Sequence, residues 1–311
     1  MKIAVMGSGG VGGLFGARLA QAGCDVHFVA RGAHLAAIKA NGLKIENEIS
    51  GDTLIPADTV KATDDPATIG PVDYVIFCVK LWDTDSAAEQ IKPLIGPETA
   101  VISLQNGVSR DDTLRRVLGA KHVVGGISYV GATIKSPGVI AQKGYVQKLV
   151  FGEYGENSQS PRVVLLKEAC VKGNIEVDIP ENIELALWEK FVVLVGMSTV
   201  LASARKTIGP VRENPETRNL LLAVMEEVRQ VAMAKGIKLA DDIVAVKIAY
   251  LDNLAPDVTA SMEHDLRTGN RLELPWLAGT VVSMGKELNV PTPTCETLAA
   301  ILSPYVMGAA K

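Results

Sequence analysis

The stretch KIAVMGSGGVGGLFGARLA, from Lys2 to Ala20, decides the fold. It begins with a short apolar run that is typical of a buried strand and continues with apolar residues at helical spacing. Between the two, Gly7, Gly9 and Gly12 follow the pattern G-x-G-x-x-G. Glycines at this spacing allow a tight turn, a close backbone approach to a pyrophosphate and close packing of the helix on the strand. The stretch therefore predicts a dinucleotide-binding βαβ unit.

The same alternation of strand and helix continues along the first half of the chain. Apolar, β-branched runs begin at Asp25 (DVHFVA), Asp73 (DYVIFCVK) and Ala100 (AVISLQ), and SAAEQIKPLI between the last two predicts a crossover helix. Such runs are typical of parallel strands that are covered on both faces by helices. After Gly125 the pattern changes, and GVIAQKG and QKLVFGEYG predict two short antiparallel strands with glycine turns.

Helical patterns dominate from Pro180 onward. In NPETRNLLLAVMEEVRQVAMAKG, Asn214 can cap a helix, Pro215 suits its first position and Gly236 ends it. We therefore predict an α/β fold in two parts, an N-terminal Rossmann-like dinucleotide-binding domain over residues 1–179 and an all-α C-terminal domain over residues 180–311.

Composition narrows the functional class. The 311 residues carry a net charge of −4, which gives no sign of nucleic acid or an anionic membrane as a partner. The four cysteines form no C-x-x-C motif and the four histidines lack metal-ligand spacing, so we predict no metal site and no disulfide framework. The N-terminus does not resemble a signal peptide, and the apolar run 191–204 is shorter than the ~20 residues of a membrane span. We expect a cytoplasmic protein with no membrane association.

The end of the second predicted strand favours NADP over NAD. NAD-binding proteins usually carry an acidic residue there, which bonds to the ribose 2′-hydroxyl. This strand instead ends in HFVARGAH, where Arg31 is the charged residue and no acid is near. A guanidinium suits a 2′-phosphate, and the alternative interpretation of Arg31 is an ordinary surface arginine.

Five segments, in order, together resemble one enzyme family. They are GSGGVG, FCVKLWDT (77–84), LQNGV (104–108), LWEKF (187–191) and SMEHDLRTGNRLELPWLAG (261–279), the last followed by NVPTPTCETL. The sequence is similar, nearly from end to end, to the ketopantoate reductase family. That resemblance implies the NADPH-dependent reduction of a 2-oxo acid to a 2-hydroxy acid, either ketopantoate to pantoate in pantothenate biosynthesis or the reaction of a paralogue.

The resemblance also implies roles for individual residues. Lys190 would be the general acid, and Glu273 the catalytic carboxylate beside it. The cofactor would contact Gly7, Ser8, Gly9, Gly10, Val11, Gly12, Arg31, Lys80, Asn106 and Glu273. The substrate would contact Asn106, Lys190, Leu194, Ser198 and Ser261.

Elementary chemistry agrees with these roles. A hydride that arrives at a carbonyl carbon leaves negative charge on the oxygen, and a lysine ammonium beside that oxygen stabilises the charge and donates the proton. A carboxylate such as Glu273 would hold the ammonium in place. Each residue also has an ordinary reading: Glu273 as a solvated acid, Asn106 as the turn residue of an Asn-Gly pair, and Lys80 as a solvated lysine at a strand end.

The sequence departs from the family where the substrate's polar groups would be held. The family has asparagines four and eight residues after the catalytic lysine, where this chain has Leu194 and Ser198. Two further asparagine positions correspond, without gaps, to Ile208 and Val258. An apolar pocket discriminates between substrates less strongly than one that hydrogen-bonds a hydroxyl.

These replacements leave several functions open. The substrate could be ketopantoate, a 2-oxo acid with a more apolar tail, or a bulkier carbonyl compound. A relative of the β-hydroxyacid dehydrogenases would keep an asparagine four residues after the lysine, so Leu194 counts against it. A protein of another class, an NADP-sensing regulator without catalysis, would have no need of Lys190 and Glu273. The apolar C-terminal helices could form the face of a homodimer or simply a core.

Overall fold

The computed structural model describes residues 1–155 and 157–309. They divide into two compact units. Unit 1 comprises Met1–Gln105 and Arg110–Ile183, and unit 2 comprises Asn106–Ser109 and the chain from Glu184 onward. The division at Ile183 falls a few residues beyond the expected one at 179/180, and the short loop Asn106–Ser109 groups with the helical unit.

Unit 1 is an α/β unit on a ten-stranded sheet. Its strands are β1 Lys2–Met6, β2 Asp25–Val29, β3 Leu43–Glu46, β4 Thr53–Ile55, β5 Lys61–Thr63, β6 Val72–Phe77, β7 Ile95–Ser103, β8 Val123–Ser136, β9 Val139–Gly152 and β10 Glu176–Asp178. Its helices are α1 Gly10–Gln21, α2 Gly32–Asn41, α3 Thr84–Gln90, α4 Arg110–Leu118 and α5 Pro161–Lys172, with 3₁₀ turns at Pro66–Thr68, Leu81–Asp83, Lys92–Leu94 and Ala120–His122.

The first part of the sheet is parallel, in the order β5-β2-β1-β6-β7-β8. Strand β1 is the centre, because Ala4 pairs with His27 of β2 on one side and with Val75 of β6 on the other. The chain therefore changes direction along the sheet between β1 and β6. In open α/β sheets, ligands bind at the carboxyl ends of the strands at such a switch point. The glycine-rich turn that follows β1 lies there.

Apolar side chains cover both faces of this parallel region. On one face Ile3 and Val5 pack in a buried cluster with Leu14 and Phe15 of α1. On the other face a second buried cluster contains Val75 of β6. Burial on both faces is why these strands are continuously apolar in sequence rather than alternating.

The region after Gly125 differs from its prediction. GVIAQKG and QKLVFGEYG were expected to be two antiparallel strands, but both lie on the single 14-residue strand β9, which pairs antiparallel with β8. The pairing shifts from Val130–Gln147 to Gly131–Lys143, so the residues between Lys143 and Gln147 form a bulge. Gly144, with φ +69°, belongs to this bulge. Its positive φ bends the strand without reversing it.

Unit 2 is helical. Its helices are α6 Ile183–Ala204, which starts at the last residue of unit 1, α7 Ile208–Glu213, α8 Pro215–Ala234, α9 Ile243–Asp252, α10 Ser261–Arg267, α11 Ala278–Leu288 and α12 Pro293–Leu302, with 3₁₀ turns at Leu274–Trp276 and Ser303–Tyr305. The predicted cap of α8 is confirmed, because Asn214 accepts hydrogen bonds from the backbone N–H groups of Glu216 and Thr217. On the same helix, Leu221, Val224 and Val228 are fully buried.

Helix α6 is longer than the apolar run seen in the sequence. Its 22 residues make it, by length and composition alone, long and apolar enough to cross a membrane, among the residues that the structure describes. Within the most apolar part of the helix, the majority of the residues are buried inside the protein. Trp188, Phe191, Val192 and Val195 all belong to the hydrophobic core of the helical unit. The helix is therefore apolar because it is the central core helix of unit 2.

A buried carboxylate caps one helix of unit 2 from another. Glu227 of α8 accepts hydrogen bonds from the backbone N–H groups of Thr294 at 2.7 Å and Cys295 at 2.8 Å, in the first turn of α12. These donors have no acceptor within their own helix, and the carboxylate also interacts with the positive end of the helix dipole. Glu227 therefore ties α12 to α8.

We expect Glu227→Ala to lower the free energy of unfolding by about 3 kcal/mol, because one buried and one partly buried N–H group lose a charged acceptor. The matched control is Glu226→Ala, one residue earlier, whose carboxylate pairs with the side chains of Arg229 and Gln230 on its own helix. That change should cost less than about 1 kcal/mol. Urea unfolding of both variants measures the difference, and equal losses would contradict the capping role.

Candidate active site

Two glycines of the glycine-rich turn, Gly7 and Gly12, leave no room for a side chain. Gly7 has φ +94°, and a Cβ atom there would lie 2.8 Å from the backbone of Cys78 and Val79 at the end of β6. A Cβ on Gly12 would lie 2.3 Å from the carbonyl oxygen of Gly7. The first and third glycines of the motif are therefore required by backbone packing.

Gly9 differs from these two because the space beside it is open. A Cβ atom there would meet only Ile134 Cδ1, at 4.0 Å. Gly9 is the N-cap residue of α1, and it makes no side-chain capping bond. The first N–H groups of a helix lack intrahelical acceptors and form a ready site for an anion. The turn thus fits the pyrophosphate of a dinucleotide, which Gly9 to Gly12 would hold through their backbone.

A histidine fixes the back of this turn. The Ser8 hydroxyl donates to the Val29 carbonyl at 3.1 Å, while His34 Nε2 lies 2.9 Å from the Ser8 carbonyl oxygen. His34 Nδ1 accepts the backbone N–H of Gly138 at 3.0 Å, so the neutral ring carries its proton on Nε2 and donates it to Ser8. His34 was not predicted to have a role, since its partners are far away in sequence.

The predicted phosphate-binding arginine lies where the second strand ends. Arg31 is the N-cap residue of α2, its side chain is 70% exposed, and its Nη2 atom pairs with Asp83 Oδ2 at 3.1 Å. Lys80, exposed at the end of β6, lies 5.6 Å from the ring of Trp82. Two cations thus follow the two strands that flank β1, which suits a phosphorylated cofactor.

In unit 2, the predicted catalytic lysine meets the predicted asparagine. Lys190, on the second turn of α6, donates from Nζ to Asn106 Oδ1 at 3.2 Å. Both residues are partly buried. The two are 84 positions apart in the sequence, and the short loop Asn106–Ser109 brings them together because it groups with the helices of unit 2. The asparagine side chain accepts this hydrogen bond and thereby helps to orient the ammonium group.

The segment that carries the predicted carboxylate lies beside the same loop. Glu273 is buried and precedes the 3₁₀ turn Leu274–Trp276. A Cβ atom on Gly107 would lie 3.3 Å from the Trp276 carbonyl oxygen, so this turn packs closely on the Asn-Gly dipeptide. Ser261 is exposed at the first residue of α10. Its role as a substrate contact remains a prediction.

The residues that replace the family's asparagines are apolar or buried. Leu194 is partly buried against the core of unit 2, whereas Ser198 is fully buried. The Ser198 hydroxyl has no hydrogen-bond partner within the described part of the chain. Ile208 is fully buried and donates its backbone N–H to the Val258 carbonyl at 2.9 Å. The two remaining replaced positions are thus neighbours in space.

A buried hydrogen-bond network that the sequence did not reveal anchors unit 1 on both sides of the Asn106 loop. Arg110 is 2% exposed and donates from Nε to Ser103 Oγ at 2.9 Å. The Ser103 hydroxyl donates to Gln105 Oε1, and Gln105 Nε2 donates to the Val79 carbonyl at 3.0 Å. The residues immediately before Asn106 and immediately before Lys80 are thereby fixed to one another.

No metal site is evident over residues 1–155 and 157–309, where no three His, Cys, Asp or Glu side chains are grouped so that they could hold an ion. All four cysteines are free thiols. Desolvation raises the pKa of Cys170 to about 12, so this thiol is protonated and behaves as a small apolar side chain.

The chain is similar to known proteins over nearly its whole length. Residues 3–156 match the family model described as "Ketopantoate reductase PanE/ApbA", and residues 182–306 match its C-terminal counterpart. A crystal structure of a PanE/ApbA family ketopantoate reductase from Ralstonia eutropha is 32% identical, covers 98% of both chains and has a TM-score of 0.88. A 2-dehydropantoate 2-reductase from Mesorhizobium japonicum is 29% identical over 97% of both chains. A D-mandelate dehydrogenase structure with NADH, 20% identical with a TM-score of 0.86, shares the fold.

The Rossmann-like and helical units, the family models and the named relatives together identify the chain as a nicotinamide-dinucleotide oxidoreductase that acts on CH–OH groups. Within that class, the two family models together span most of the sequence. The chain belongs to the ketopantoate reductase family. The predicted family, fold class and enzyme class are thereby confirmed.

Proposed function

We propose that this protein reduces a 2-oxo acid to a 2-hydroxy acid with NADPH and that Lys190 donates the proton. The observation that carries the proposal is the hydrogen bond from Lys190 Nζ to Asn106 Oδ1 at 3.2 Å. It joins the residue that the family resemblance implies as the general acid, Lys190, to the one that it places beside the nicotinamide ribose and the substrate, Asn106. A cytoplasmic location and a small-molecule substrate are further predictions of the same proposal, whereas the apolar C-terminal helices could form a homodimer face or simply a core.

The chain's own residues divide the work. NADPH, when bound, supplies the hydride. The backbone of Gly9 to Gly12 would hold its pyrophosphate and Arg31 its 2′-phosphate, with Lys80 nearby as a second cation. Lys190 would stabilise the charge that develops on the carbonyl oxygen and pass its proton there. Asn106 orients the ammonium group of Lys190. The negative charge of the Glu273 carboxylate would favour the charged form of that lysine.

The substrate we propose has a more apolar tail than ketopantoate. Leu194 lies one helical turn beyond Lys190 and packs in an apolar environment. Ile208 and Val258 offer no side-chain hydrogen bonds, and Ser198 is fully buried. A hydroxyl group buried against such a surface without a partner would cost about 1–3 kcal/mol. An alkyl or aromatic tail would bury its surface there at no such cost.

A panel of 2-oxo acids tests both parts of the proposal. The loss of NADPH absorbance should be faster for acids with alkyl or aromatic tails than for ketopantoate, by at least about tenfold in kcat/KM, equal to 1.4 kcal/mol. Leu194→Asn should reduce that ratio, because it restores an amide on the lysine's face of α6. Ile301→Asn, at an exposed position on α12, serves as the control.

Two results would count against the proposal in different ways. If ketopantoate had the highest kcat/KM by a wide margin, the apolar tail would be wrong and the reductase activity would stand. If NADPH bound tightly but no carbonyl compound oxidised it, the protein would instead be a cofactor-sensing regulator.

A further inference from the structure

We propose that Asp83 reduces the preference of this protein for NADP⁺ over NAD⁺ by opposing the 2′-phosphate that Arg31 would bind. The inference rests on the proposed function, in which Arg31 is the phosphate-binding residue. The carboxylate has no role in the family resemblance, and its position beside Arg31 is seen only in the folded chain.

Arg31 and Asp83 form an ion pair near the carboxyl end of the central strand β1. Arg31 follows β2, and Asp83 closes the 3₁₀ turn Leu81–Asp83 that follows β6. Because β2 and β6 flank β1, the pair joins the carboxyl ends of the two neighbours of the strand that leads into the glycine turn. The Arg31 Nη2 to Asp83 Oδ2 distance is 3.1 Å, and the side chains are 70% and 31% exposed. Both remain accessible to a ligand.

Asp83 places a carboxylate near the end of β2, where the sequence of that strand has no acidic residue. In NAD-binding Rossmann proteins the acid that bonds the ribose 2′-hydroxyl stands at the end of the second strand. Residues 30–34 of this chain, ARGAH, contain none. Asp83 places a carboxylate beside Arg31 from a different strand. One edge of the sheet thus presents both a guanidinium, which favours a 2′-phosphate, and an acid, which favours a free 2′-hydroxyl.

The electrostatic effect can be estimated from the contact. A phosphate bound to Arg31 would lie within ~6 Å of the Asp83 carboxylate, since both contact the same guanidinium. Repulsion between one carboxylate and a nearly doubly charged phosphate at that distance weakens binding by about tenfold in water. NAD⁺ lacks the 2′-phosphate and escapes this penalty. Asp83 therefore narrows the preference for NADP⁺ over NAD⁺ that Arg31 creates.

Titration calorimetry with NADP⁺ and NAD⁺ tests the inference without turnover. Asp83→Asn should tighten NADP⁺ binding about tenfold and leave NAD⁺ binding equal or weaker. Asp83→Ser should change the ratio of dissociation constants in the same direction, which guards against an effect peculiar to the amide. In 1 M salt, where the screening length is about 3 Å, the difference between wild type and variant should largely disappear.

The matched control is Asp85→Asn, two residues further along the chain. Asp85 is 72% exposed and pairs with Arg116 instead of Arg31, so its loss should leave the ratio unchanged. An unchanged ratio in Asp83→Asn, or weaker NADP⁺ binding, would overturn the inference and make Asp83 a residue that merely orients Arg31. A wild-type protein that bound neither dinucleotide would overturn the proposed function as well, which separates the two failures.

Discussion

Replacing Lys190 with methionine is expected to lower kcat by roughly 10²–10⁴-fold, the usual contribution of a positioned general acid. Methionine keeps much of the side-chain length and fits the helix, so α6 should stay intact. The loss arises because the charge on the carbonyl oxygen would no longer meet an ammonium group or receive its proton. Steady-state kinetics with the best substrate of the panel measures the effect.

NADPH binding separates a chemical loss from a structural one. The dissociation constant for NADPH, measured by fluorescence titration, should change less than about threefold, or under 1 kcal/mol, in Lys190→Met. The control is Lys247→Met, because Lys247 on α9 pairs with Glu189, the residue immediately before Lys190. That variant should keep its turnover. Unchanged turnover in Lys190→Met would remove the lysine from the mechanism.

The second large effect is expected in the glycine turn. A Cβ atom on Gly10 would lie 2.2 Å from the carbonyl oxygen and 2.6 Å from the carbonyl carbon of Ala132 on β8. These are backbone atoms in a paired strand and cannot yield as a flexible side chain would. Gly10→Ala should therefore displace α1 and lower the free energy of unfolding by about 3 kcal/mol. Urea unfolding measures the loss.

Gly9→Ala makes the complementary test, one residue away. The space beside Gly9 is open apart from Ile134 Cδ1 at 4.0 Å, and its φ of −76° suits any residue. Stability should stay within about 0.5 kcal/mol of wild type. NADPH binding should nevertheless weaken at least about tenfold, because the methyl group would occupy the space that the pyrophosphate needs. Normal NADPH affinity in Gly9→Ala would place the cofactor elsewhere.

Gly9 and Gly10 show how much of the structure of this turn the sequence motif predicts. The G-x-G-x-x-G spacing predicted a turn, a strand before it and a helix after it, and β1 and α1 match those predictions closely. It also predicted tight packing, but not the partner. Gly10 is required because it packs against β8, more than a hundred residues further along the chain. No local pattern carries that information.

The antiparallel region shows the opposite case, in which a local signal misled. The sequence predicted glycine turns here, because glycine readily adopts the positive φ that many turns require, and Gly144 lies between the two predicted strands. The structure uses the same positive φ for a bulge within β9. Which of the two forms depends on pairing with β8, and therefore on contacts that the local sequence does not encode.

The sequence by itself determined the fold class and the position of the glycine-rich turn, because both depend on local periodicity or on a motif of contiguous residues, and the family resemblance predicted the role of Lys190. Only the tertiary structure decided which polar groups meet. It placed Asn106 against Lys190, His34 behind Ser8, and Asp83 beside Arg31. The physical reason is that parallel strands bring their carboxyl ends to one edge regardless of chain separation, and the helices of unit 2 gather a loop that interrupts unit 1.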